Sequence, residues 1–390
     1  MSKTIATTTT TKSNDASLDS AMPIPNPQTD RVLTPYIKLL LPTPPQLQPS
    51  DLSSVIRLIF QSRASEVQIA SFLSLLRARG LDQDSSFIAA AVDAVLEFAE
   101  TIQGHLVDER GYIDIVGTGG DGQNTFNVST SSAIVAAGMG LPVCKHGGKA
   151  STSTSGSGDL LKSLGVELSR INVVTLPDIV QRSKFCYLFA PSFHPGMGIV
   201  ANVRAQLGIP TIFNILGPLI NPIPIQSRIL GVYSEKLGES YARAASILAR
   251  KSHIHKRTMV VFGECVLDEI APSGYTKIWM VEEDGEIKAD RICPKDFGLG
   301  EHELDAVRSG SPDQNAEWLG HILRQDKDEF KIVEGRTNHP IVDYILLNTA
   351  ALAFVAGLSR DWAGGVELAK ESIKSGKALE ALQDLKDAIA

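Results

Sequence analysis

From about Val32 to Gly104, apolar residues recur three and four positions apart, the spacing of helices that bury one face. Within this stretch DLSSVIRLIF opens on Asp51, an expected N-cap, and SEVQIASFLSLLRARG closes on Gly80, an expected C-cap. A further helix is expected from Asp84 to Gly104, and no β-rich run interrupts the series. The pattern changes at Tyr112. YIDIV reads as a short apolar strand, and LPVCKHGG, KFCYLFAP, SRILGVYS and RTMVVFGE read the same way. Helical stretches lie between them, among them TSSAIVAAGMG, SGDLLKSLGV and ESYARAASILARKS. Strands alternating with helices predict a mainly parallel sheet covered on both faces. TKIWMVEEDGEIKADRI predicts a hairpin turning at Asp284–Gly285, and the strongly apolar HPIVDYILLNTAALAFVAGL predicts a helix near the end.

The expected organisation is therefore an α/β protein with a small all-helical N-terminal domain. Residues 1–30, rich in Thr, Ser and Pro, are expected to be a disordered tail. Residues 31–108 form the helical domain, to which a helical segment near 194–210 is expected to join. Residues 109–390 form the larger α/β domain.

Composition narrows the function. The chain has 390 residues, of which 43% are hydrophobic and 21% charged, so it can bury a core without metals or disulfides. Its formal net charge of −7 argues against nucleic acid as a main ligand. No apolar run reaches the roughly 18 residues of a membrane span, and the N-terminus lacks the apolar core of a signal peptide. Cys144, Cys186, Cys265 and Cys293 form no CxxC pair and sit among apolar neighbours. They are expected to be buried free thiols in a reducing compartment, which points to the cytoplasm.

The candidate chemistry lies where the strands end, the place where parallel sheets bind ligands. GTGGDG at 117–122 matches G-x-G-x-x-G, but a dinucleotide site wants an acidic residue about 20 positions later. No Asp or Glu occurs between Asp121 and Asp159, and Lys145 and Lys149 stand there instead. The segment reads as a surface for anions. Its glycines allow close backbone approach, and NVSTSS at 127–132 places amides and hydroxyls at the start of the helix AIVAAG. STSTSGSGDLL repeats the arrangement at a second helix start. A ligand with several negative charges is expected.

GTGGDGQNTFNVSTSSA, KHGGKASTSTSGSGDLLKSLGV, HPGMGIVANVRAQLGIPTIFNILGPLINP and FGECVLDEIAPSG together resemble the anthranilate phosphoribosyltransferases, from Leu33 to the C-terminus. The resemblance implies transfer of phosphoribose from phosphoribosyl pyrophosphate (PRPP) to anthranilate in tryptophan biosynthesis, by a homodimer using Mg2+. It implies PRPP contacts from Gly117, Gly120, Asp121, Thr125, Asn127, Val128, Ser129 and Thr130. Lys145, His146, Gly147, Gly148, Lys149, Ala150, Ser151, Thr152, Ser153 and Ser157 would add to them. Ser129, Asp268 and Glu269 would hold the metal. Arg204, with Gly117, Gly148 and His194, would face the anthranilate. The residue types suit these roles: magnesium takes hard oxygens, and a guanidinium pairs with a carboxylate through two hydrogen bonds. His146 and His194 are the candidate general bases, although His146 could equally be a structural hydrogen-bonder.

The chain departs from the family where K-H-G-N-R becomes Lys145-His146-Gly147-Gly148-Lys149, and where Gly198 replaces a lysine. Weaker anthranilate binding is the expected consequence. Two other functions are compatible with parts of the pattern. A pyrimidine nucleoside phosphorylase would need no metal pair. A non-catalytic nucleic-acid binder would have lost site residues and gained a basic surface, whereas GTGGD, NVST and Asp268-Glu269 are present.

Overall fold

The computed structural model describes residues 31–102, 106–148 and 154–390. The expected tail lies outside the described residues, as do Lys149, Ala150, Ser151, Thr152 and Ser153. The described chain opens with helices α1 (Thr34–Leu40), α2 (Pro49–Phe60), α3 (Glu66–Ala78) and α4 (Ser85–Leu96). Asp84 caps α4 as expected, its Oδ1 accepting from the amides of Ser86 and Phe87 at 2.9 and 3.3 Å. Gly80 follows α3 at φ 71°, the left-handed conformation that ends a helix cheaply only with glycine.

Two boundaries differ from the expectation. Helix α2 begins at Pro49, because proline lacks the amide that a first-turn residue leaves unpaired. Asp51 is therefore its third residue, not its cap, and its carboxylate accepts from the Gln48 amide at 2.9 Å. Helix α4 stops at Leu96, short of Gly104, and the chain turns so that the Glu100 amide donates to the Phe193 carbonyl at 2.8 Å.

The α/β part follows as β1 (Tyr112–Gly117), α5 (Val128–Gly138), β2 (Val143–Gly147), α6 (Ser157–Ser163), α7 (Leu176–Arg182), β3 (Phe185–Phe189), α8 (Ala190–Phe193) and α9 (Gly196–Leu207). Next come β4 (Ile225–Gly231), α10 (Glu235–Ala249), β5 (Arg257–Gly263), β6 (Thr276–Val281) and β7 (Ile287–Ile292). The chain closes with α11 (Pro312–Arg324), α12 (Pro340–Val355), α13 (Trp362–Lys374) and α14 (Lys377–Ala388). Helix α5 starts at Val128, so Val128 to Ser132 belong to its first turns and do not precede it, as the sequence suggested.

The sheet runs β3-β2-β1-β4-β5-β6-β7. Strands β1 to β5 are parallel, and the expected hairpin β6–β7 adds an antiparallel edge, with Gly285 at φ 83° in its turn. The order reverses between β1 and β4, the kind of switch point at which open parallel sheets leave a crevice. One apolar core joins β1, β2 and β3 to α5, α12 and α14. The other joins α2, α3 and α4 to α9 and α10. Helix α9 packs on α2 and α3, and Gly196 at its start is necessary there: a Cβ would lie 2.5 Å from the Phe60 ring. Among the described residues no helix is long and apolar enough to cross a membrane. Cys144 and Cys186 are buried, but Cys265 and Cys293 are only half-buried, since both sit in loops outside the strands.

Candidate active site

A cleft of about 680 Å3 opens at the carboxyl ends of β1, β2 and β4. Its floor is set by an unusually close approach. After β5 the chain doubles back, with the Gly263 amide donating to the Leu267 carbonyl at 2.8 Å, and lays Asp268 over the ends of β1 and β4. Gly117 and Gly231, paired in the ladder, lie directly beneath it. A Cβ on Gly117 would lie 2.1 Å from the Asp268 carboxylate, and one on Gly231 only 1.5 Å from the Asp268 carbonyl oxygen. The loop beyond β1 then turns through Gly119, Gly120 and Gly122 at φ 68°, 86° and 72°, which other residues rarely adopt. It is anchored by the Gly119 amide, which donates to Asp268 Oδ2 at 2.6 Å.

The carboxylates crowd together. Asp121 accepts from the Asp268 amide at 3.4 Å. Burial, reinforced by the Asp121 charge, pushes Asp268 up to about 7, and burial beside Asp268 holds Glu269 well above the usual carboxylate range. The nearby cation is Lys145 on β2, only 1% exposed, whose Nζ donates to the Ile115 carbonyl at 2.5 Å. Lys145 also faces Asp114, so it does not neutralise the cluster by itself. Crowded carboxyls that resist ionising without a cation nearby are hard-oxygen ligands that fit a divalent cation. Among the described residues no three carboxylate, imidazole or thiol groups form a ready cage. A metal held here would complete its shell from ligand and water, as magnesium commonly does.

The phosphate side is built from two layers. The start of α5 presents Asn127, its N-cap, and Ser129 to the cleft. Behind it, Asn127 Nδ2 donates to the Ser155 carbonyl at 2.7 Å, and Asn127 Oδ1 accepts from Ser155 Oγ and from Asn315 Nδ2, both at 2.9 Å. The segment before α11 forms a strap across this loop. The Phe126 amide donates to the Val307 carbonyl and the Ser309 amide to the Asn124 carbonyl, both at 2.8 Å.

The opposite wall comes from α8 and α9. Arg204 on α9 borders the cleft, and its buried Nε has no hydrogen-bond partner among the described residues. His146 Nδ1 lies 3.1 Å from the Gly217 carbonyl. A carbonyl can only accept, so Nδ1 carries the proton and Nε2 keeps its lone pair, without a partner among the described residues. The His194 ring sits edge-on to it at 5.0 Å. Tyr187 supports the wall from below, donating to the Gly148 carbonyl at 3.1 Å, and its hydroxyl is why residue 147 has no side chain.

Burial, together with each other's proximity, pushes His146 down to about 3, and burial pushes His194 down to about 4. Both rings should therefore stay neutral between about pH 5.5 and 8, an interval across which a free imidazole titrates. Imidazole NMR signals, assigned through His146→Gln and His194→Gln variants, should not move over that range. An inflection near the ordinary value would mean that the pair is open to water.

The cleft brings together Gly117, Asp121, Thr125, Asn127, Ser129, Lys145, His146, Gly147, Gly148, Ser157, His194, Arg204, Asp268 and Glu269. Gly120 shapes the loop and does not line the cleft. Val128 and Thr130 are fully buried in α5 and do not line the cleft. Sequence reasoning missed Gly231, Asn315 and Tyr344. Gly231 ends an apolar strand, and that position carried the one legible signal among the three.

The chain matches two family models: "Glycosyl transferase family, helical bundle domain" over residues 34–99 and "Glycosyl transferase family, a/b domain" over residues 109–379. It is 41% identical to the anthranilate phosphoribosyltransferase of Saccharomyces cerevisiae, over 93% of this chain and 99% of that one. The Schizosaccharomyces pombe enzyme of the same name is 44% identical over 87% of this chain and 92% of its own. A solved structure of the Saccharomyces cerevisiae enzyme in complex with PRPP and Mg superposes with a TM-score of 0.84, covering 93% of this chain and 99% of that one at 41% identity.

Proposed function

The chain belongs to the anthranilate phosphoribosyltransferases, enzymes that transfer the phosphoribosyl group of PRPP to anthranilate, and we propose that it does so in the cleft between the β1–β4 ends and α9. The observation that carries this assignment is the division of one cleft into two halves. One half has a glycine loop, a helix start and an acidic cluster. The other presents Arg204, a guanidinium whose Nε has no partner among the described residues, and neutral histidines.

PRPP binds along Gly117, Asp121, Asn127, Ser129 and Ser157, with its charge met by Lys145 and by the α5 N-terminus. Asp268, Glu269 and Ser129 would hold Mg2+, which supplies positive charge to the diphosphate when bound. Arg204 pairs with the anthranilate carboxylate and so orients the amine toward the ribose C1. The C1–O bond to pyrophosphate breaks, the amine nitrogen forms the new bond to C1, and the amine gives up one proton. Negative charge grows on the departing oxygen near Lys145, whose ammonium is desolvated and fixed beforehand. The released proton leaves with the departing pyrophosphate or to solvent, while His146 Nε2, an unpaired lone pair too weakly basic to keep a proton, can accept a hydrogen bond on the amine side. Holding both reactants in one geometry supplies much of the rate, and no covalent intermediate with the protein is needed.

Further support bears on setting and assembly. All four cysteines are free, which suits a cytoplasmic enzyme. Leu41, Val67 and Ile209 are exposed apolar residues on or beside α1, α3 and α9, surface that a homodimer would cover.

The deciding assay mixes protein, anthranilate, PRPP and Mg2+ and follows the loss of anthranilate fluorescence, with omission of each component. Loss that requires all three is expected. Binding of PRPP without any loss would leave the diphosphate half standing and remove anthranilate as the acceptor.

Gly148 offers a finer test. A Cβ there would meet nothing within 4 Å, so Gly148→Asn should fold normally and place an amide in the acceptor half. The KM for anthranilate is expected to fall by about three- to ten-fold, the worth of one hydrogen bond, while the KM for PRPP holds. An unchanged anthranilate KM would show that position 148 does not face the acceptor.

A further inference from the structure

Helix α12 was legible only as an apolar helix, yet it carries two polar residues one turn apart, Tyr344 and Asn348, on the face turned toward the Asp268–Ile270 segment. Asn348 clamps the backbone there: its Oδ1 accepts from the Ile270 amide at 3.3 Å, and its Nδ2 donates to the Ile270 carbonyl at 3.4 Å and to the Tyr344 carbonyl at 3.1 Å. Tyr344 clamps the side chain. Its ring is fully buried, and its hydroxyl donates to Glu269 Oε2. The Thr125 side chain, in the loop that leads into α5, lies close enough to act on the same hydroxyl. The phenol thus stands where the carboxylate side of the cleft meets the diphosphate side. The other Glu269 oxygen, Oε1, accepts no hydrogen bond from a described residue, and Glu269 borders the cleft.

A glutamate free to rotate on a cleft wall would sample several directions, and ordering it on metal binding would cost rotamer entropy. A hydroxyl fixed by a buried ring removes that freedom in advance. The core would be equally filled by phenylalanine, so packing alone does not call for the oxygen at position 344.

We propose that Tyr344 is a positioning residue, holding Glu269 Oε2 so that Oε1 is pre-oriented toward a divalent cation. The proposal rests on the reading of Asp268 and Glu269 as the Mg2+ ligands. It predicts that losing the Tyr344 hydroxyl weakens the metal without touching the anthranilate half of the cleft.

The test is Tyr344→Phe, which keeps the ring and removes the oxygen. Mn2+ binding in the presence of PRPP, followed by electron paramagnetic resonance, should weaken by about ten-fold, the lower part of the range seen when a partner of a metal ligand is lost. The half-saturating Mg2+ concentration in the assay should rise by a similar factor, turnover should recover at high Mg2+, and the anthranilate KM should hold. Thr125→Val removes a second hydroxyl beside the Tyr344 oxygen, outside the core, and should reproduce the shift more weakly. It also keeps the question open to measurement if Tyr344→Phe does not fold. Unchanged Mn2+ affinity, or an activity loss that high Mg2+ does not restore, would overturn the positioning role. An unsubstituted protein that binds no Mn2+ with PRPP present would instead remove the metal reading on which the proposal stands.

Discussion

Gly231→Ala is expected to lower kcat/KM for PRPP by about 100-fold or more, the cost of displacing a site by an ångström, while leaving the chain folded. Gly231 touches no ligand in this reading, and its φ is not the reason for its identity. The reason is a collision, since the new Cβ would lie 1.5 Å from the Asp268 carbonyl oxygen and 2.5 Å from its carbon. Non-bonded carbon and oxygen need roughly twice the shorter separation, so the Asp268 peptide must lift by more than an ångström. Lifting it breaks the 2.6 Å hydrogen bond from the Gly119 amide and moves Asp268 and Glu269 together. Gly122→Ala is the comparison that isolates this effect. A Cβ at 122 meets nothing within 4 Å, but the backbone sits at φ 72°, so its penalty is the roughly 1 to 2 kcal/mol of left-handed strain. Steady-state kinetics and thermal melts on both variants decide the matter. If Gly231→Ala matched the parent protein while Gly122→Ala did not, loop conformation would matter and the placement of Asp268 would not.

The difference between those two glycines also marks what the sequence could convey. The loop 117–122 was legible because its chemistry is local: consecutive glycines, a strand before and a helix after. The parallel sheet was legible for the same reason, since each strand announces itself within a few apolar residues, but the strand order and its switch point emerge only in three dimensions. The remainder of the site is made by contacts far apart in the chain. Asn315 reaches Asn127 across 188 positions, and Tyr344 reaches Glu269 across 75. A few polar residues inside an apolar helix leave no clear periodic trace, and α12 was legible only by its hydrophobicity. Boundaries failed where a competing local interaction won. Pro49 displaced Asp51 as the natural helix start, and Phe193 drew the chain out of α4 early. The burial of Val128 and Thr130 was hidden because helix α5 begins sooner than its apolar run.

Lys145→Met tests whether one buried cation serves two functions. Its ammonium is 1% exposed and bonded to the Ile115 carbonyl, among the carboxylates of Asp114, Glu269 and Asp268. Losing the charge should lower turnover by about 100- to 1000-fold, as for other preorganised groups that face developing charge. It should also destabilise the fold by about 3 to 5 kcal/mol, because carboxylates are left buried without their partner. These losses separate with pH. Asp114 is fully buried, and burial already raises its carboxyl above the usual range even though Lys145 opposes that shift. Without the lysine the folded-state value climbs further, while the unfolded value stays at about 3.9. An acid raised in the folded state withdraws stability above its folded pKa and returns it as protons bind. The stability deficit of Lys145→Met should therefore be largest near pH 8 and shrink as the pH falls toward 5, measured by denaturant unfolding of both proteins at each pH. Turnover, measured at saturating substrates, should show no such recovery, because protonating Asp114 removes a buried charge but supplies none to the departing pyrophosphate. If both deficits shrank together, lost stability alone would explain the lost activity, and the leaving-group role of Lys145 would go with it.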